Sequence, residues 1–188
     1  MAAYKFTFIG TGNMGGALAR AAAKSLPGAE ILLSNRTPAK AEALARELGC
    51  AAGTAEQAAR EGAYIFLGVK PQMMGGLLAD VAPVLAARQD RFVLVTMAAG
   101  LTMARIAEMA GGDWPVIRIM PNTPCAVGAG VVLCDANPLV TARELEEFSA
   151  ALAGAGVIDR LDESLIDGAC ALTGCGPAFV CQFIEALA

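Results

Sequence analysis

Short apolar runs alternate with longer amphipathic stretches along most of this chain. Several of the runs are apolar at successive positions, which is typical of strands that are covered by helices on both faces. Between them, apolar residues recur at helical spacing. The pattern predicts helices in the gaps and strands at residues 5–9, 30–34, 64–69, 92–97, 116–120, 130–134 and 157–161.

Local capping signals mark the predicted helix boundaries. Thr37 stands before Pro38, as an N-cap residue stands before the first helical position, and Gly49 suits the end of the same helix. Capping-box spacing also occurs at residues 54–57 and 141–144. Strands and helices that alternate in this way predict an α/β fold with a Rossmann-like, doubly wound, mostly parallel sheet.

The pattern changes after residue 161. Residues 164–171 have helical spacing, the sequence Thr-Gly-Cys-Gly-Pro at 173–177 is expected to interrupt the helix, and residues 178–188 form an apolar helix. Such a helix cannot bury its faces alone. We therefore expect a first domain at residues 1–162, and in 163–188 the first part of a second, helical domain that is truncated or packs on another subunit.

The first strand leads directly into a glycine-rich turn with G-x-G-x-x-G spacing. In a dinucleotide site the first glycine permits the tight turn, the second lets backbone approach the pyrophosphate, and the third lets the helix pack closely. A glycine-rich turn of another α/β protein is the alternative. The sequence predicts a dinucleotide-binding site that contains Ile9, Gly10, Thr11, Gly12, Asn13 and Met14.

The residues at the end of the second strand help to distinguish an NAD site from an NADP site. NAD sites carry an acidic residue there for the ribose 2′-hydroxyl, whereas this chain has Ser34, Asn35 and Arg36. A guanidinium can bind a 2′-phosphate, so the sequence favours NADPH, with NADH also possible. The alternative is that Arg36 is a solvated loop residue.

Three later strand ends are also expected at the ligand crevice, because the carboxyl ends of parallel strands form it. The small residues after the fourth predicted strand would let a cofactor lie against backbone, and polar residues follow the fifth. Turn formation alone is the alternative for the last pair. The expected cofactor contacts are Val69, Lys70, Pro71, Met97, Ala98 and Ala99, and the expected substrate-near residues are Asn122 and Thr123.

Composition narrows the chemistry that this chain of 188 residues can perform. It has six cysteines without a C-x-x-C pair and no histidine, so we predict buried thiols, no metal site and no histidine-based catalysis. A net charge of −4 argues against nucleic acid, and no uninterrupted apolar run has the length of a membrane span. The first strand begins too early for a signal peptide, so a soluble, cytoplasmic protein with a small-molecule substrate is expected.

Five ordered motifs together resemble the pyrroline-5-carboxylate reductase family over essentially the whole chain. They are Ile-Gly-Thr-Gly-Asn-Met-Gly at 9–15, Val-Lys-Pro-Gln at 69–72, Ala-Ala-Gly at 98–100, Met-Pro-Asn-Thr-Pro at 120–124 and Ala-Leu-Thr-Gly-Cys-Gly-Pro-Ala-Phe at 171–179. The resemblance implies NAD(P)H-dependent reduction of L-1-pyrroline-5-carboxylate to L-proline, the last step of proline synthesis. It also implies a helical dimerisation domain and a homodimer or a higher homo-oligomer such as a decamer.

The chain departs from the family pattern at several points. The family's substrate loop, which binds the carboxylate and places a Thr hydroxyl near the imine nitrogen, has no match up to Ala188, so no catalytic side chain is assigned. An Asn that many members place near the adenosine ribose is replaced here by Thr54-Ala55. The usual Ser-Gly-Ser-Gly-Pro is Thr-Gly-Cys-Gly-Pro at 173–177. On this resemblance, residues 1–188 alone are expected to bind NADPH and to show negligible turnover.

Two other functions remain open from the sequence. A β-hydroxyacid dehydrogenase-like reductase shares the N-terminal pattern, but such enzymes typically use a later Lys as proton donor, and no Lys follows Lys70. A non-catalytic NADP-binding module is the second alternative. Pyrroline-5-carboxylate-dependent oxidation of NADPH would separate all three.

Overall fold

The computed structural model describes residues 2–188, and within that range the chain forms one eight-stranded sheet. All seven predicted strands are present, with ends that shift by at most a few residues. A two-residue strand at 51–52 was not predicted. The strands are β1 (Tyr4–Ile9), β2 (Ile31–Ser34), β3 (Ala51–Ala52), β4 (Gly62–Leu67), β5 (Val93–Thr96), β6 (Val116–Pro121), β7 (Gly130–Ala136) and β8 (Gly156–Arg160).

The sheet has the order β3-β2-β1-β4-β5-β6-β7-β8. Neighbouring strands are parallel except at β6–β7, so β7 and β8 run opposite to the rest. The chain leaves β1 toward β2 on one side and returns to β4 on the other, which confirms the doubly wound, Rossmann-like fold. We call the side of the sheet where β1, β2, β4, β5 and β6 end the carboxyl edge.

Helices cover both faces of this sheet. They are α1 (Asn13–Ala22), α2 (Pro38–Leu48), α3 (Ala55–Glu61), α4 (Pro71–Ala86), α5 (Met103–Met109), α6 (Ala142–Ala151), α7 (Glu163–Cys170) and α8 (Gly176–Leu187). The core on one face contains α1, α2 and α6, with the rings of Phe8 and Phe66 stacked 4.3 Å apart between centroids. The core on the other face contains α3, α4 and α5. Two buried cores explain why the strands are apolar at successive positions.

The predicted capping signals are confirmed in position but only in part as hydrogen bonds. Thr141 and Glu144 form a full capping box at the start of α6. Thr54 accepts a hydrogen bond from the Gln57 amide, but the Gln57 side chain donates to Glu61, so the box is incomplete. At α2, the N-cap side chain of Thr37 makes no capping hydrogen bond, although Gly49 ends the helix in the left-handed conformation.

The predicted interruption at residues 173–177 is wrong. Helix α7 continues through a π-helical segment, Ala171–Cys175, into α8, which gives one helix over Glu163–Leu187. A π segment accommodates an extra residue within a helix without ending it. Within residues 2–188, this is the one helix that is long and apolar enough to cross a membrane by length and composition, and its most apolar window is unburied.

The start of this long helix is fixed to the sheet by a buried charge. Arg118, in the middle of β6, is 1% exposed. Its Nη2 donates to Asp167 Oδ1 at 2.6 Å, and its Nη1 lies 3.5 Å from Glu163 Oε1. Glu163 Oε1 also accepts from the Met103 amide at 2.7 Å, so α5, β6 and α7 share one network. Ile166 packs below it against Met120 and Leu133.

The expectation of buried thiols is correct for only some of the six cysteines. Cys125 and Cys134 are buried, Cys50 and Cys170 are half-buried, and Cys175 and Cys181 are exposed. None of the six forms a disulfide. The exposed pair lies on the π segment and α8, whose outer faces have no covering element among the described residues.

A charged contact joins α6 to the loop before β5. Glu144 receives two hydrogen bonds from Arg91, at 2.7 and 2.9 Å, and one from the Thr141 amide at 2.8 Å. These donors, with the Arg91 hydrogen bond the largest influence, lower the pKa of Glu144 to about 2 from the ordinary value of 4.5. Its backbone carbonyl accepts from the buried hydroxyl of Tyr64 at 2.7 Å.

We predict that Glu144 stabilises the fold above its unfolded pKa. A carboxyl whose pKa is lower in the folded state contributes stability that is present above about pH 4.5 and is lost as pH falls toward about 2. Glu144→Gln should cost about 1 kcal/mol in free energy of unfolding at pH 7, since Arg91 is half exposed and screened by solvent.

Urea unfolding of both proteins from pH 7 to pH 2 checks this prediction. The difference in free energy of unfolding should shrink along the acid limb. Glu146→Gln, an exposed position on the same helix, is the matched control. A deficit for Glu144→Gln that stays constant down to pH 2 would contradict the prediction.

Candidate dinucleotide-binding site

The centre of the candidate site is a close backbone contact between the ends of β1 and β4. The Gly10 amide donates to the Ser34 carbonyl, and the Gly68 amide donates to the Ile9 carbonyl, each at 2.8 Å. A Cβ on Gly10, whose φ is +106°, would lie 2.5 Å from Gly68 O, and one on Gly68 would lie 2.4 Å from Gly10 O. Only glycine fits at either position.

The helix α1 begins directly above this contact. A Cβ on Gly15 would lie 2.1 Å from Gly10 O, which confirms that the third glycine of the fingerprint permits close packing. A Cβ on Gly12, by contrast, would meet nothing within 4 Å. The backbone at Gly12 therefore faces open space, which a phosphate group could enter.

The first turn of α1 has unused hydrogen-bonding capacity. Its N-cap, Gly12, provides no side-chain cap, and the turn contains no acidic residue, so the helix dipole is not compensated locally. The hydroxyl of Thr11 is buried without a hydrogen-bond partner among the described residues. A buried polar atom without a partner is costly, and an ordered water or a polar ligand would be needed to satisfy it. Asn13 is exposed and Met14 half-buried on the same turn.

The loop after β2 contains residues with two different roles. Some make hydrogen bonds that shape the loop, and one is a cation without an ion pair. Asn35 Oδ1 accepts from the Thr11 amide at 3.3 Å, and Asn35 Nδ2 donates to the Thr37 carbonyl at 3.2 Å. Ser34 is buried at the strand end, 3% exposed. Arg36 is exposed and, within residues 2–188, has no ion pair. Asn35 thus shapes the loop, and Arg36 remains available to an anionic ligand.

The ends of β4 and β5 supply the next part of the carboxyl edge. Lys70 is exposed at the N-cap of α4 and has no ion pair in the described part of the chain, with Val69 half-buried before it and Pro71 exposed after it. After β5, Ala98 is 1% exposed, and its amide lies 3.3 Å from the Thr96 hydroxyl. Ala99 is exposed, whereas Met97 packs into the core that contains α1.

The two predicted substrate-near residues differ in their surroundings. Thr123 is exposed at the start of a short 3₁₀ helix after β6. Asn122 is 7% exposed, and both ends of its amide are hydrogen-bonded within the protein: Nδ2 donates to the Thr173 carbonyl and Oδ1 accepts from the Val131 amide, each at 2.9 Å. The sequence did not indicate this contact with the long helix.

The carboxyl edge therefore has a narrow backbone cradle and several features that suit an anionic ligand. It combines an uncapped helix N-terminus, an unsatisfied buried hydroxyl, an open space at Gly12 and two cations without ion pairs. These features fit a dinucleotide that carries phosphates. Across residues 2–188, no cluster of three or more metal-ligating side chains occurs.

Comparison with known proteins agrees with this geometry. Residues 5–100 match the family model described as "NADP oxidoreductase coenzyme F420-dependent". The chain is 36% identical to the pyrroline-5-carboxylate reductase of Escherichia coli (strain K12) over 188 residues, which cover 98% of this chain and 68% of that protein.

Two solved structures have the same fold over nearly the whole chain. A pyrroline carboxylate reductase of Plasmodium falciparum with NADP bound superposes with a TM-score of 0.83 and 29% identity, over 100% of this chain and 68% of that one. A pyrroline-5-carboxylate reductase of Coxiella burnetii superposes with a TM-score of 0.88 and 26% identity, over 98% and 69%. With the fold, the glycine cradle and these similarities together, the chain belongs to the pyrroline-5-carboxylate reductase family.

Proposed function

We propose that this protein reduces L-1-pyrroline-5-carboxylate to L-proline with NADPH, the last step of proline synthesis. The observation that carries the proposal is the carboxyl edge, where the glycine cradle, the unsatisfied Thr11 hydroxyl and the unpaired Arg36 converge in a member of this reductase family.

Each strand end has a proposed part in binding the cofactor. The backbone from Gly10 to Met14 receives the pyrophosphate at the uncapped start of α1. Arg36 binds the 2′-phosphate, and Ser34 and Asn35 shape the pocket around it. Lys70 faces the ribose or the phosphates from the end of β4, between Val69 and Pro71. The small side chains of Ala98 and Ala99, next to Met97, leave room for the cofactor against backbone.

The reaction suits a site without histidine. When bound, NADPH supplies the hydride that the C=N carbon accepts. The protein has to hold the imine at the correct distance, exclude water and favour the protonated nitrogen, which makes the carbon more electrophilic. We assign Thr123, which is exposed at the carboxyl edge after β6, and its neighbour Asn122 to the substrate side of this arrangement. No side chain of residues 2–188 is assigned as the proton donor.

The proposal extends to the organisation of the protein. Residues 1–162 form the dinucleotide-binding domain, and residues 163–188 belong to a helical domain that forms a homodimer, which can assemble further. Exposed apolar side chains on α8 support this, since Phe179, Phe183 and Leu187 are 67%, 65% and 74% exposed. We place the enzyme in the cytoplasm.

We predict that the purified full-length gene product oxidises NADPH only when pyrroline-5-carboxylate is added, with one proline formed per NADPH consumed. Absorbance of NADPH and chromatography of proline measure the two quantities. Gly12→Val is the control, because a branched side chain in the open space at Gly12 should abolish cofactor binding and turnover while the fold survives. Turnover of a β-hydroxyacid instead, or NADPH binding by the full-length gene product without any turnover, would contradict the proposal, whereas residues 1–188 alone should bind NADPH with negligible turnover.

We also predict that Arg36 selects NADPH over NADH. Arg36→Ala should weaken NADPH binding by about 1.5–3 kcal/mol, the scale of a hydrogen bond to a charged group, and leave NADH binding nearly unchanged. Titration calorimetry with both cofactors measures this.

Arg46→Ala is the matched control, because Arg46 is also exposed and has no ion pair among the described residues, but it lies in the last turn of α2. It should change neither affinity. An equal loss for NADPH and NADH in Arg36→Ala would rule out a 2′-phosphate contact.

A further inference from the structure

The side chain of Asn122 joins three separate segments at the carboxyl edge. It follows β6 directly, its Oδ1 accepts from the Val131 amide in β7, and its Nδ2 donates to the Thr173 carbonyl in the π segment. Both distances are 2.9 Å, and the residue is 7% exposed. One buried amide therefore holds the long helix against the end of β6.

The Thr173 carbonyl lacks the donor that a regular α-helix would supply. In an α-helix this carbonyl would accept from the amide four residues later, which is Pro177, and proline has no amide hydrogen. The Thr173 hydroxyl cannot substitute, since it points back to the Ala169 carbonyl at 3.4 Å. The Asn122 side chain donates a hydrogen bond to this carbonyl.

A second contact holds the same helix nearer its N-terminus. Arg118 Nη2 donates to Asp167 Oδ1 at 2.6 Å, more than one helical turn before Thr173. The start of the helix thus stays on the sheet independently of Asn122. Loss of the Asn122 donor should loosen the π segment alone and leave α7 in place.

The π segment lies at the edge of the sheet where the nicotinamide half of the cofactor is expected. In a doubly wound sheet the dinucleotide lies across the carboxyl ends of the strands, with its second nucleotide on the β4–β6 half. The π segment is held at the end of β6. Gly176, which follows it at the start of α8, leaves the surface open, since a Cβ there would meet nothing within 4 Å, whereas a Cβ on Gly174 inside the segment would lie 3.1 Å from Cys170 Sγ. A flat ring could approach this wall closely.

We propose that Asn122 is a positioning residue that holds the π segment, Ala171–Cys175, as the wall of the site for the nicotinamide ring. The inference rests on one part of the proposed function, which is that the bound dinucleotide is NADPH. Asn122 acts through Thr173 and does not itself need to touch the cofactor, since both ends of its amide are already hydrogen-bonded.

The test is a substitution that removes the hydrogen-bond donor of the Asn122 side chain, Nδ2, and keeps the acceptor oxygen, Oδ1. In Asn122→Asp, the carboxylate can still accept from Val131 but cannot donate to Thr173. The matched control is Asn137→Asp: Asn137 Oδ1 accepts from the Val116 amide at 3.1 Å, and its Nδ2 donates to the Trp114 carbonyl at 2.8 Å, at the opposite end of β6. Each variant loses one hydrogen bond from a side-chain amide to a backbone carbonyl. Only Asn122→Asp loses it beside the π segment.

Two measurements on the purified protein decide the outcome. Amide hydrogen exchange at residues 171–176 should be at least tenfold faster in Asn122→Asp than in the wild type and unchanged in Asn137→Asp. In saturation-transfer NMR with NADPH, the signal of the nicotinamide protons relative to the adenine protons should fall at least twofold in Asn122→Asp only. If this variant does not fold, Asn122→Ser, which is too short to reach Thr173, takes its place.

The inference is overturned if the nicotinamide-to-adenine ratio of Asn122→Asp equals that of the wild type, or if Asn137→Asp lowers it equally. Neither measurement requires pyrroline-5-carboxylate. A wild-type protein that binds NADPH but does not reduce this imine would therefore refute the proposed reaction, while the ratio would still decide the role of Asn122.

Discussion

The contact between Gly10 and Gly68, where β1 and β4 end side by side, is the constraint on which the rest of the structure depends. Each backbone lies where the other's Cβ would be, so neither position accepts a side chain. The contact fixes the direction in which the chain leaves β1, and α1 must start against it, which in turn requires Gly15. A narrow, side-chain-free cradle at the carboxyl edge follows from these three glycines.

Much of this arrangement could be predicted from the sequence because its signals are local. The apolar runs gave the strands, and the glycine spacing gave the turn after β1. Arg36 was proposed as a contact for the 2′-phosphate because no acidic residue stands at the end of β2. Its lack of an ion pair in the described structure agrees with that interpretation. Each inference used residues that are neighbours along the chain.

The features that were missed depend on partners far apart in sequence. Arg118 lies in an otherwise apolar strand, and its buried charge makes sense only with Asp167 and Glu163 of α7 beside it. Similarly, the glycines and the proline at 173–177 indicate a helix end. The helix continues through a π segment, where Asn122 from another part of the chain donates to the Thr173 carbonyl. The two-residue strand β3 is too short to leave a periodic pattern.

If NADPH binds as we propose, it binds at the carboxyl edge and at no other surface. Titration of ¹⁵N-labelled protein with NADPH, followed by amide chemical shifts, locates the binding surface. We expect the largest shifts at Thr11–Met14, in the loop around Arg36 and at the ends of β4 and β5. The largest shifts in the open groove between α5 and α7, which is lined by Ala107, Trp114 and Ser164, would contradict it.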